Sequence, residues 1–249
     1  MILAAGRGTR LRERGESRQK WLLEVGGATL ADRQLDGARR AGVASIRVVT
    51  GHAAEGVEGF LRGRGDTGVQ LVHNPAYDEL NNWFSVLLAL RDVPDGDDDR
   101  FVVFNSDLCA RPDWFAAFLL DAAATPHESL VAVDTERALT GESMKVAASS
   151  AKPVDPRLLQ RIAKGDVERP AGEYVGMFMA RAGARRDLRA TLEGFVGSQA
   201  DADHWYEGAI GLTAARGTSW LVWPTPDGDW VEIDDAADHD AARRLGIGG

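Results

Sequence analysis

The stretch LAAGRGTRL, residues 3–11, decides the fold, because it runs an apolar strand directly into a turn with two glycines. Gly6 and Gly8 carry no side chain, so the backbone there can approach a phosphate chain and point N–H groups at it. Two arginines in the stretch and the downstream Lys20 add positive charge. The third glycine of the dinucleotide fingerprint is absent, since Leu11 stands there, and no Gly-Lys-Ser/Thr follows as in a Walker A loop. We predict a phosphate-binding turn, because an ordinary glycine turn accounts less well for the threonine, arginine and lysine that follow.

Composition excludes several classes of protein. The chain has 249 residues, of which 44% are hydrophobic and 27% charged, and this favours one full-size α/β domain. The net charge of -9 argues against a general nucleic-acid binder, which needs basic surface to neutralise phosphates. A single cysteine, Cys109, excludes a disulfide framework and a thiolate metal cluster. No apolar run is long enough to span a bilayer and no leader precedes the first strand, so we expect a cytoplasmic protein that binds no membrane.

Strand and helix patterns alternate along the first half of the chain. Apolar and β-branched runs predict strands at residues 1–5, 45–50, 69–72, 101–104 and 129–133. Helical spacing predicts helices at residues 30–41, 53–62, 81–90 and 114–123. This alternation predicts an α/β fold with a doubly wound, mostly parallel sheet and helices on both faces.

The second half is less regular. Strand candidates cover residues 144–148, 173–180 and 219–223, and helix candidates cover residues 187–196, 204–214 and 236–245. Residues 152–172 are expected to form an excursion from the core, and residues 95–99 a solvated turn. No internal repeat or linker interrupts the chain, so we predict a single domain over residues 1–249.

Two further apolar runs end in carboxylates. Residues 101–104 (FVVF) lead through Asn105 and Ser106 to Asp107, and residues 230–233 (WVEI) lead to Asp234. Ligands of open α/β sheets bind outside the carboxyl ends of the strands. Each aspartate alone is more simply explained as the cap of the next helix. Together they suit Mg²⁺, which is usually held by one or two carboxylates plus phosphate oxygens.

These motifs resemble the signature of the nucleotidyltransferases that make sugar nucleotides and CDP-alcohols. That signature is a strand, then LAAGxGTR, then a lysine that usually follows a proline, whereas Gln19 precedes Lys20 here. The resemblance implies a Rossmann-like fold in which Asp107 and Asp234 hold Mg²⁺. It also implies a nucleotide-binding half at residues 1–135, and a half at residues 136–249 that binds the acceptor and carries the second metal ligand. The implied nucleotide-binding residues are Leu3, Ala4, Ala5, Gly6, Arg7, Gly8, Thr9, Asn82, Ser85 and Asp107.

The middle of the chain is similar to the cytidylyltransferases that act on phosphocholine and 2-aminoethylphosphonate. The shared pattern is an Asn-Pro-x-Tyr turn at residues 74–77 and an Asn-Asn-x-x-Ser helix start at residues 81–85. In this resemblance the helix start contacts the base, while the simpler alternative is an ordinary N-cap at Asn81. Acidic and aromatic side chains farther on suit an ammonium head group. The candidate acceptor-binding residues are Lys145, Glu173, Tyr174, Trp205, Tyr206 and Glu207.

Lysine is scarce, at four of the 29 basic residues. Lys20 matches the family's phosphate lysine, and Lys145 and Lys164 fall in segments that resemble its acceptor side, although Lys152 competes with Lys164. The residues predicted to act in catalysis are Arg10, Lys20, Lys164 and Lys145. The five histidines are scattered without metal-ligand spacing, and none is assigned a role. This fits the proposed chemistry, because the second pKa of a phosphate monoester lies near 6 and its oxygen needs no general base.

The resulting hypothesis is a Mg²⁺-dependent cytidylyltransferase that joins CTP to a small phosphorylated or phosphonylated alcohol or amine and releases pyrophosphate. One alternative is a sugar-1-phosphate or cyclitol-phosphate nucleotidyltransferase that uses another nucleoside triphosphate. An alternative of another class is a non-catalytic nucleotide-binding module, which the two carboxylates and the phosphate lysine disfavour. The expected partners are CTP or another NTP and the acceptor, with no nucleic acid, and the oligomeric state is open, a homodimer included.

Overall fold

The computed structural model describes residues 1–8, 19–93, 100–149, 157–226, 230–244 and 246–247. Its strands in chain order are β1 (Ile2–Ala4), β2 (Glu24–Val25), β3 (Ala28–Thr29), β4 (Ile46–Thr50), β5 (Val69–His73), β6 (Phe101–Asn105), β7 (Leu108–Ala110), β8 (Ser129–Asp134), β9 (Lys145–Ala148), β10 (Leu159–Ala163), β11 (Gly172–Ala180), β12 (Trp220–Pro224) and β13 (Trp230–Glu232). Its helices are α1 (Leu30–Arg40), α2 (Ala54–Arg64), α3 (Asn82–Arg91), α4 (Pro112–Ala124), α5 (Ala182–Glu193), α6 (Tyr206–Ala215) and α7 (Ala236–Arg244).

The chain divides into two units, each assembled from separate stretches of sequence. Unit 1 comprises Met1–Glu79, Phe104–Leu120 and Gly228–Gly249, and unit 2 comprises Leu80–Val103 and Asp121–Asp227. The boundary therefore does not follow the predicted halves at residue 135. The single domain remains a prediction.

Unit 1 is built on parallel strands. β1 pairs with β4 on one side and with the end of β6 on the other, and β4 pairs with β5. The short strands β7 and β13 form an antiparallel pair, as do β2 and β3. α1 begins at a capping box in which Thr29 accepts from the Asp32 N–H and Asp32 accepts from the Thr29 N–H. Gly37 lets α1 approach α4 closely, because a Cβ there would lie 2.6 Å from the Cβ of Phe115.

Unit 2 is built around the long strand β11. β11 pairs antiparallel with β8 and β9, β9 pairs antiparallel with β10, and β12 pairs parallel with β8. Gly172 opens β11 at a place where any Cβ would overlap the carbonyl oxygen of Asp134. Helices α3, α5 and α6 pack on one another. Trp220 is fully buried in this unit.

The predicted α/β fold with a mostly parallel sheet and accompanying helices is confirmed. The prediction that residues 152–172 leave the core is wrong for its described part, residues 157–172, because β10 pairs with β9 and buries Leu159 and Ile162. The helix predicted at residues 187–196 begins earlier and ends earlier, at Ala182–Glu193, since Arg181 at its start supplies no side-chain cap that a pattern could reveal. The predicted turn at residues 95–99 lies outside the described residues. Among those described, no helix is both long and apolar enough to cross a membrane.

Candidate active site

The turn after β1 leaves its backbone accessible. The side chains of Leu3, Ala4 and Ala5 are buried, whereas Gly6 and Arg7 are exposed. Gly8 has a φ of 54°, in the left-handed region that favours glycine. A Cβ at Gly8 would lie 3.6 Å from the Cβ of Lys20, so the turn passes beside that lysine. Thr9 and Arg10, predicted to contact the nucleotide, lie outside the described residues.

Lys20 lies between two carboxylates from distant parts of unit 1. Its Nζ donates to Asp107 Oδ2 at 3.0 Å and to Asp234 Oδ1 at 2.6 Å. Its side chain is only 11% exposed. Burial lowers the pKa of Lys20, but the charges of Asp107 and Asp234 outweigh it and raise the pKa above its usual value. The ammonium therefore stays charged and compensates two carboxylates that would otherwise repel each other.

The pairing of β7 with β13 brings the two aspartates together. Asp107 lies in the turn between β6 and β7, and Leu108 pairs in register with Glu232 of β13. The N–H of Ile233 then donates to the carbonyl oxygen of Asp107 at 3.0 Å, just before Asp234. Sequence patterns did not predict β7, because three apolar residues after a turn carry no usable period.

Side chains other than that of Asp234 accept the hydrogen bonds at the start of α7, so helix capping is not the role of Asp234 there. Asp235 Oδ1 accepts from the N–H groups of Ala237 and Asp238, at the start of α7. Asp238 Oδ2 in turn accepts from the N–H groups of Asp234 and Asp235. The Asp234 carboxylate itself contacts Lys20.

The two aspartates fit a hard cation. Asp107 Oδ1 is buried and accepts no hydrogen bond within the described part of the chain. A buried carboxylate oxygen without a donor, beside a second carboxylate, is a donor set that suits Mg²⁺. Among the described residues, no group of three or more His, Cys, Asp or Glu side chains is arranged so that it could hold a metal ion. Such an ion would therefore take its remaining ligands from phosphate oxygens and water.

Gln19 occupies the position where the resembled family usually has a proline, and its side-chain amide connects two backbone segments. Its side chain is buried, and Nε2 donates to the carbonyl oxygen of Ala4 at 2.6 Å. Its Oε1 accepts from the N–H of Trp21, which follows Lys20. One amide thus connects the end of β1 to the 3-10 turn that begins at Lys20. A proline side chain would make neither bond.

In unit 2, the predicted base-binding helix start engages α6. Asn81 caps α3 by accepting from the N–H of Asn82 at 2.7 Å. Asn82 Oδ1 accepts from the N–H of Tyr206 at 2.9 Å, and its Nδ2 donates to Glu207 Oε2 at 3.2 Å. Both polar groups of Asn82 therefore hold the start of α6, and Ser85 is buried on α3. The contact of Asn82 and Ser85 with a nucleotide remains a prediction.

The three aromatic acceptor candidates occupy different environments. Tyr174 and Tyr206 are buried, with their hydroxyl oxygens 3.0 Å apart, so both rings contribute to the core of unit 2. Trp205 is 42% exposed. The Nζ of Lys164 lies 4.8 Å from the centroid of the Trp205 ring, a cation–π distance. Trp205 therefore already accommodates an ammonium group.

Two of the charged acceptor candidates, Lys145 and Glu173, lie on paired strands, and Lys145 contacts Lys164. Lys145 Nζ donates to the carbonyl oxygen of Lys164 at 3.2 Å, and Lys164 Nζ lies 3.7 Å from Glu142. Glu173 pairs in register with Lys145. Burial raises the pKa of Glu173 above its usual range, against the hydrogen bond from Ser143 that lowers it. Lys152, the competing lysine, lies outside the described residues.

Two of the curated relatives show the range of the similarity. A choline-phosphate cytidylyltransferase of Streptococcus pneumoniae is 31% identical over 127 residues, 49% of this chain and 54% of that protein. A CMP-5'-(3-aminopropyl)phosphonate synthase of Streptomyces rubellomurinus is 28% identical over 244 residues, 96% of this chain and 37% of that protein. The chain thus spans about half, or less, of the length of these relatives.

Solved structures share the fold. The CTP:phosphocholine cytidylyltransferase of Streptococcus pneumoniae matches with a TM-score of 0.72 and 20% identity, over 98% of this chain and 96% of that one. The inositol-1-phosphate CTP transferase of T. maritima matches with a TM-score of 0.77 and 20% identity, over 98% of this chain and 95% of that one. Residues 1–205 match the family described as the MobA-like NTP transferase domain. Since that match covers most of the sequence, the chain belongs to the MobA-like NTP transferase domain family.

Proposed function

We propose that this protein is a Mg²⁺-dependent cytidylyltransferase that joins CTP to a small phosphorylated or phosphonylated amine or alcohol and releases pyrophosphate. The observation that carries the proposal is the convergence of Asp107 and Asp234 on Lys20, beside the turn at Gly6 and Gly8. That arrangement joins backbone donors, an ammonium and two carboxylates, which is the chemistry a metal-bound triphosphate needs.

Unit 1 handles the phosphates in this proposal. The N–H groups of the turn, with Lys20, Arg7 and Arg10, hold the triphosphate and stabilise the charge of the departing pyrophosphate. Asp107 and Asp234 would hold the metal ion. When bound, Mg²⁺ neutralises charge on the phosphate oxygens and polarises the phosphorus under attack. Lys20 keeps the two carboxylates at one point, so little reorganisation is required when substrate arrives.

The acceptor oxygen attacks the α-phosphorus of CTP without a general base. It is already anionic near neutral pH, because the second pKa of a phosphate monoester is about 6. A bond forms between that oxygen and the α-phosphorus, and the bond from the α-phosphorus to the bridging oxygen of the β-phosphate breaks. Pyrophosphate leaves with the electron pair, and no proton has to be moved. Catalysis then rests on position and charge neutralisation.

Unit 2 selects the acceptor. The exposed Trp205 ring carries the ammonium of Lys164, so a cationic head group has a matching surface there. Lys145 and Lys164 supply positive charge for the acceptor phosphate, and Glu173 and Glu207 supply negative charge for its nitrogen. The relatives named for choline phosphate and for 3-aminopropylphosphonate support an acceptor that joins an anion to a nitrogen cation.

A panel of substrates tests the proposal. Pyrophosphate release is measured for CTP, UTP, GTP and dTTP against phosphocholine, 2-aminoethylphosphonate, 3-aminopropylphosphonate, glucose 1-phosphate and inositol 1-phosphate, with Mg²⁺ or with EDTA. We expect release with CTP and one of the nitrogen-bearing acceptors, and only with Mg²⁺. Release confined to another nucleotide or to a sugar or cyclitol phosphate would refute the cytidylyltransferase proposal. Failure of every pair, together with no binding of any nucleotide, would refute a transferase of this class.

Two aspartate variants accompany the panel. Asp107→Asn removes a proposed metal ligand, and the expected result is a large loss of turnover with an unchanged circular dichroism spectrum. Asp113→Asn is the matched control in the same unit, because that carboxylate is 81% exposed and pairs with Arg40 at the surface. We expect wild-type turnover for the control.

A further inference from the structure

Gln34 is a fully buried amide on α1 in unit 1. Its Oε1 accepts from Trp21 Nε1 at 3.0 Å. Its Nε2 donates to the carbonyl oxygens of Asn105 and Leu108, each at 2.9 Å. Trp21 directly follows Lys20, and Asn105 and Leu108 flank the turn that carries Asp107. One side chain thus joins the two segments that present the ammonium and the carboxylate.

We propose that Gln34 is a positioning residue, which sets the Lys20 ammonium against Asp107 by fixing both backbone segments to one amide. The inference rests on the proposed function only where it assigns Lys20 and Asp107 to the nucleotide; the link itself is a property of the fold. Gln34 contacts neither charged group directly, so it acts through Trp21 and through the carbonyl groups of the turn.

The hydrogen bonds of Gln34 fix the direction of the backbone on both sides of Asp107. Two carbonyl groups on either side of Asp107 share the two N–H groups of one amide, so the turn between them has little freedom. Without that amide, the two carbonyl groups and the indole N–H of Trp21 would lose these hydrogen bonds, and the loss of buried hydrogen bonds drives local rearrangement. A rearranged turn would carry Asp107 away from Lys20.

Packing alone does not account for an amide here. Apart from Arg33, the buried side chains near Gln34 on α1 are apolar, with Leu30, Ala31 and Leu35 fully buried. A methionine would fill similar volume without the desolvation penalty of an amide. What the amide adds is orientation, because its oxygen and its nitrogen each require a partner in a set direction.

Arg33 provides the matched control on the same helix. It is buried, and its guanidinium donates to the carbonyl oxygens of Val25 and Ile247. Neither carbonyl flanks Lys20 or Asp107. Arg33→Met therefore removes buried hydrogen bonds to the backbone of unit 1 without cutting the link, which separates a loss of stability from a loss of positioning.

The kinetic arm compares Gln34→Met, Trp21→Phe, the double variant and Arg33→Met, each below its own unfolding temperature. Gln34→Met is expected to lower kcat about tenfold to a hundredfold, the usual range for supporting residues, with little change in the KM for CTP. Trp21→Phe cuts the link from its other end, so the double variant should be no slower than Gln34→Met alone. Arg33→Met should keep kcat near wild type. If the losses of kcat in Gln34→Met and Trp21→Phe were independent and added up in the double variant, the proposal would be overturned.

The second arm does not depend on turnover. Acetylation by N-hydroxysuccinimidyl acetate is followed by peptide mass spectrometry, which resolves the four lysines of the chain. Lys20, whose side chain is only 11% exposed, should react slowly in the wild type and in Arg33→Met. It should react faster, relative to Lys145 and Lys164, in Gln34→Met and Trp21→Phe. An unchanged rate at Lys20 would overturn the positioning role, whereas an inactive wild-type protein with the expected labelling would refute the proposed function alone.

Discussion

The N–H of Ile233 donates to the carbonyl oxygen of Asp107 at 3.0 Å, and this backbone bond continues the β7–β13 pair toward Asp234. Both carboxylates then reach the ammonium of Lys20. A three-residue antiparallel pair, rather than the parallel sheet itself, therefore brings the C-terminal part of the chain to Lys20 and the glycine turn after β1, within unit 1.

Replacing Lys20 tests its role at the phosphates. Lys20→Ala removes the ammonium that faces both aspartates, and we expect kcat/KM for CTP to fall about a hundredfold to a thousandfold, as for other losses of a transition-state donor. Arg40→Ala is the control, because it removes only an exposed ion pair with Asp113. Steady-state pyrophosphate release gives both values. A Lys20→Ala enzyme as fast as the control would exclude Lys20 from the phosphate site.

We predict that Gln19 and the proline of the resembled family both stabilise the backbone before Lys20, the first through hydrogen bonds and the second through its ring. Gln19 has a φ of -63°, which a proline adopts without strain. Gln19→Ala loses two buried hydrogen bonds and should unfold about 2 kcal/mol more easily. Gln19→Pro loses the same bonds but restricts the unfolded chain, so it should be the more stable variant and keep more activity. Urea unfolding measures the free energy of unfolding of both variants. A lower value for Gln19→Pro than for Gln19→Ala would contradict the prediction.

Trp205 is predicted to bind the cation of the acceptor. Trp205→Ala removes the exposed ring, and the KM for a nitrogen-bearing acceptor should rise about twofold to fivefold, the value of an exposed cation–π contact. The KM for CTP should not change. Leu212→Ala, another exposed apolar side chain of the same region of unit 2, is the control. Equal effects of both variants on the acceptor KM would remove Trp205 from acceptor binding.

The raised pKa of Glu173 predicts a pH dependence of stability. Because the pKa is higher in the folded protein than in the unfolded chain, the folded state holds the proton over a pH window in which the unfolded chain has lost it. Stability from this group is thus highest below the unfolded value and falls as pH rises through the window. Glu173→Gln removes this loss, so its Tm relative to wild type should increase as the pH is raised from acid to neutral. A Tm difference that is constant with pH would show that burial does not control this carboxyl.

The sequence predicts the fold better than it predicts the assembly of the site. Short apolar runs such as residues 101–104 stand out because both faces of a parallel strand are buried. β10 did not stand out, because Gln160 and Arg161 interrupt its buried positions at Leu159 and Ile162. The resemblance named Lys20, Asp107 and Asp234, but their meeting depends on β7, which is too short to show a period.

The buried glutamines show a second limit. Leu30, Gln34 and Ala38 are spaced four residues apart on the buried face of α1. An amide among such positions indicates a buried polar residue with a role of its own, and it was not predicted as one. The signal marks the residue but not its partners, since Trp21, Asn105 and Leu108 come from other segments. Only the fold of unit 1 brings those partners to Gln34.

Calorimetric titration of CTP tests the central claim most directly, because it needs no acceptor. The claim is that Asp107, Asp234 and Lys20 form one site for a metal-bound triphosphate. We predict that the wild type and Asp113→Asn bind CTP in the presence of Mg²⁺ and bind it far more weakly in EDTA, while Asp107→Asn and Asp234→Asn lose the Mg²⁺-dependent part. Binding by Asp107→Asn and Asp234→Asn that keeps the wild-type affinity and the wild-type Mg²⁺ dependence would contradict the claim.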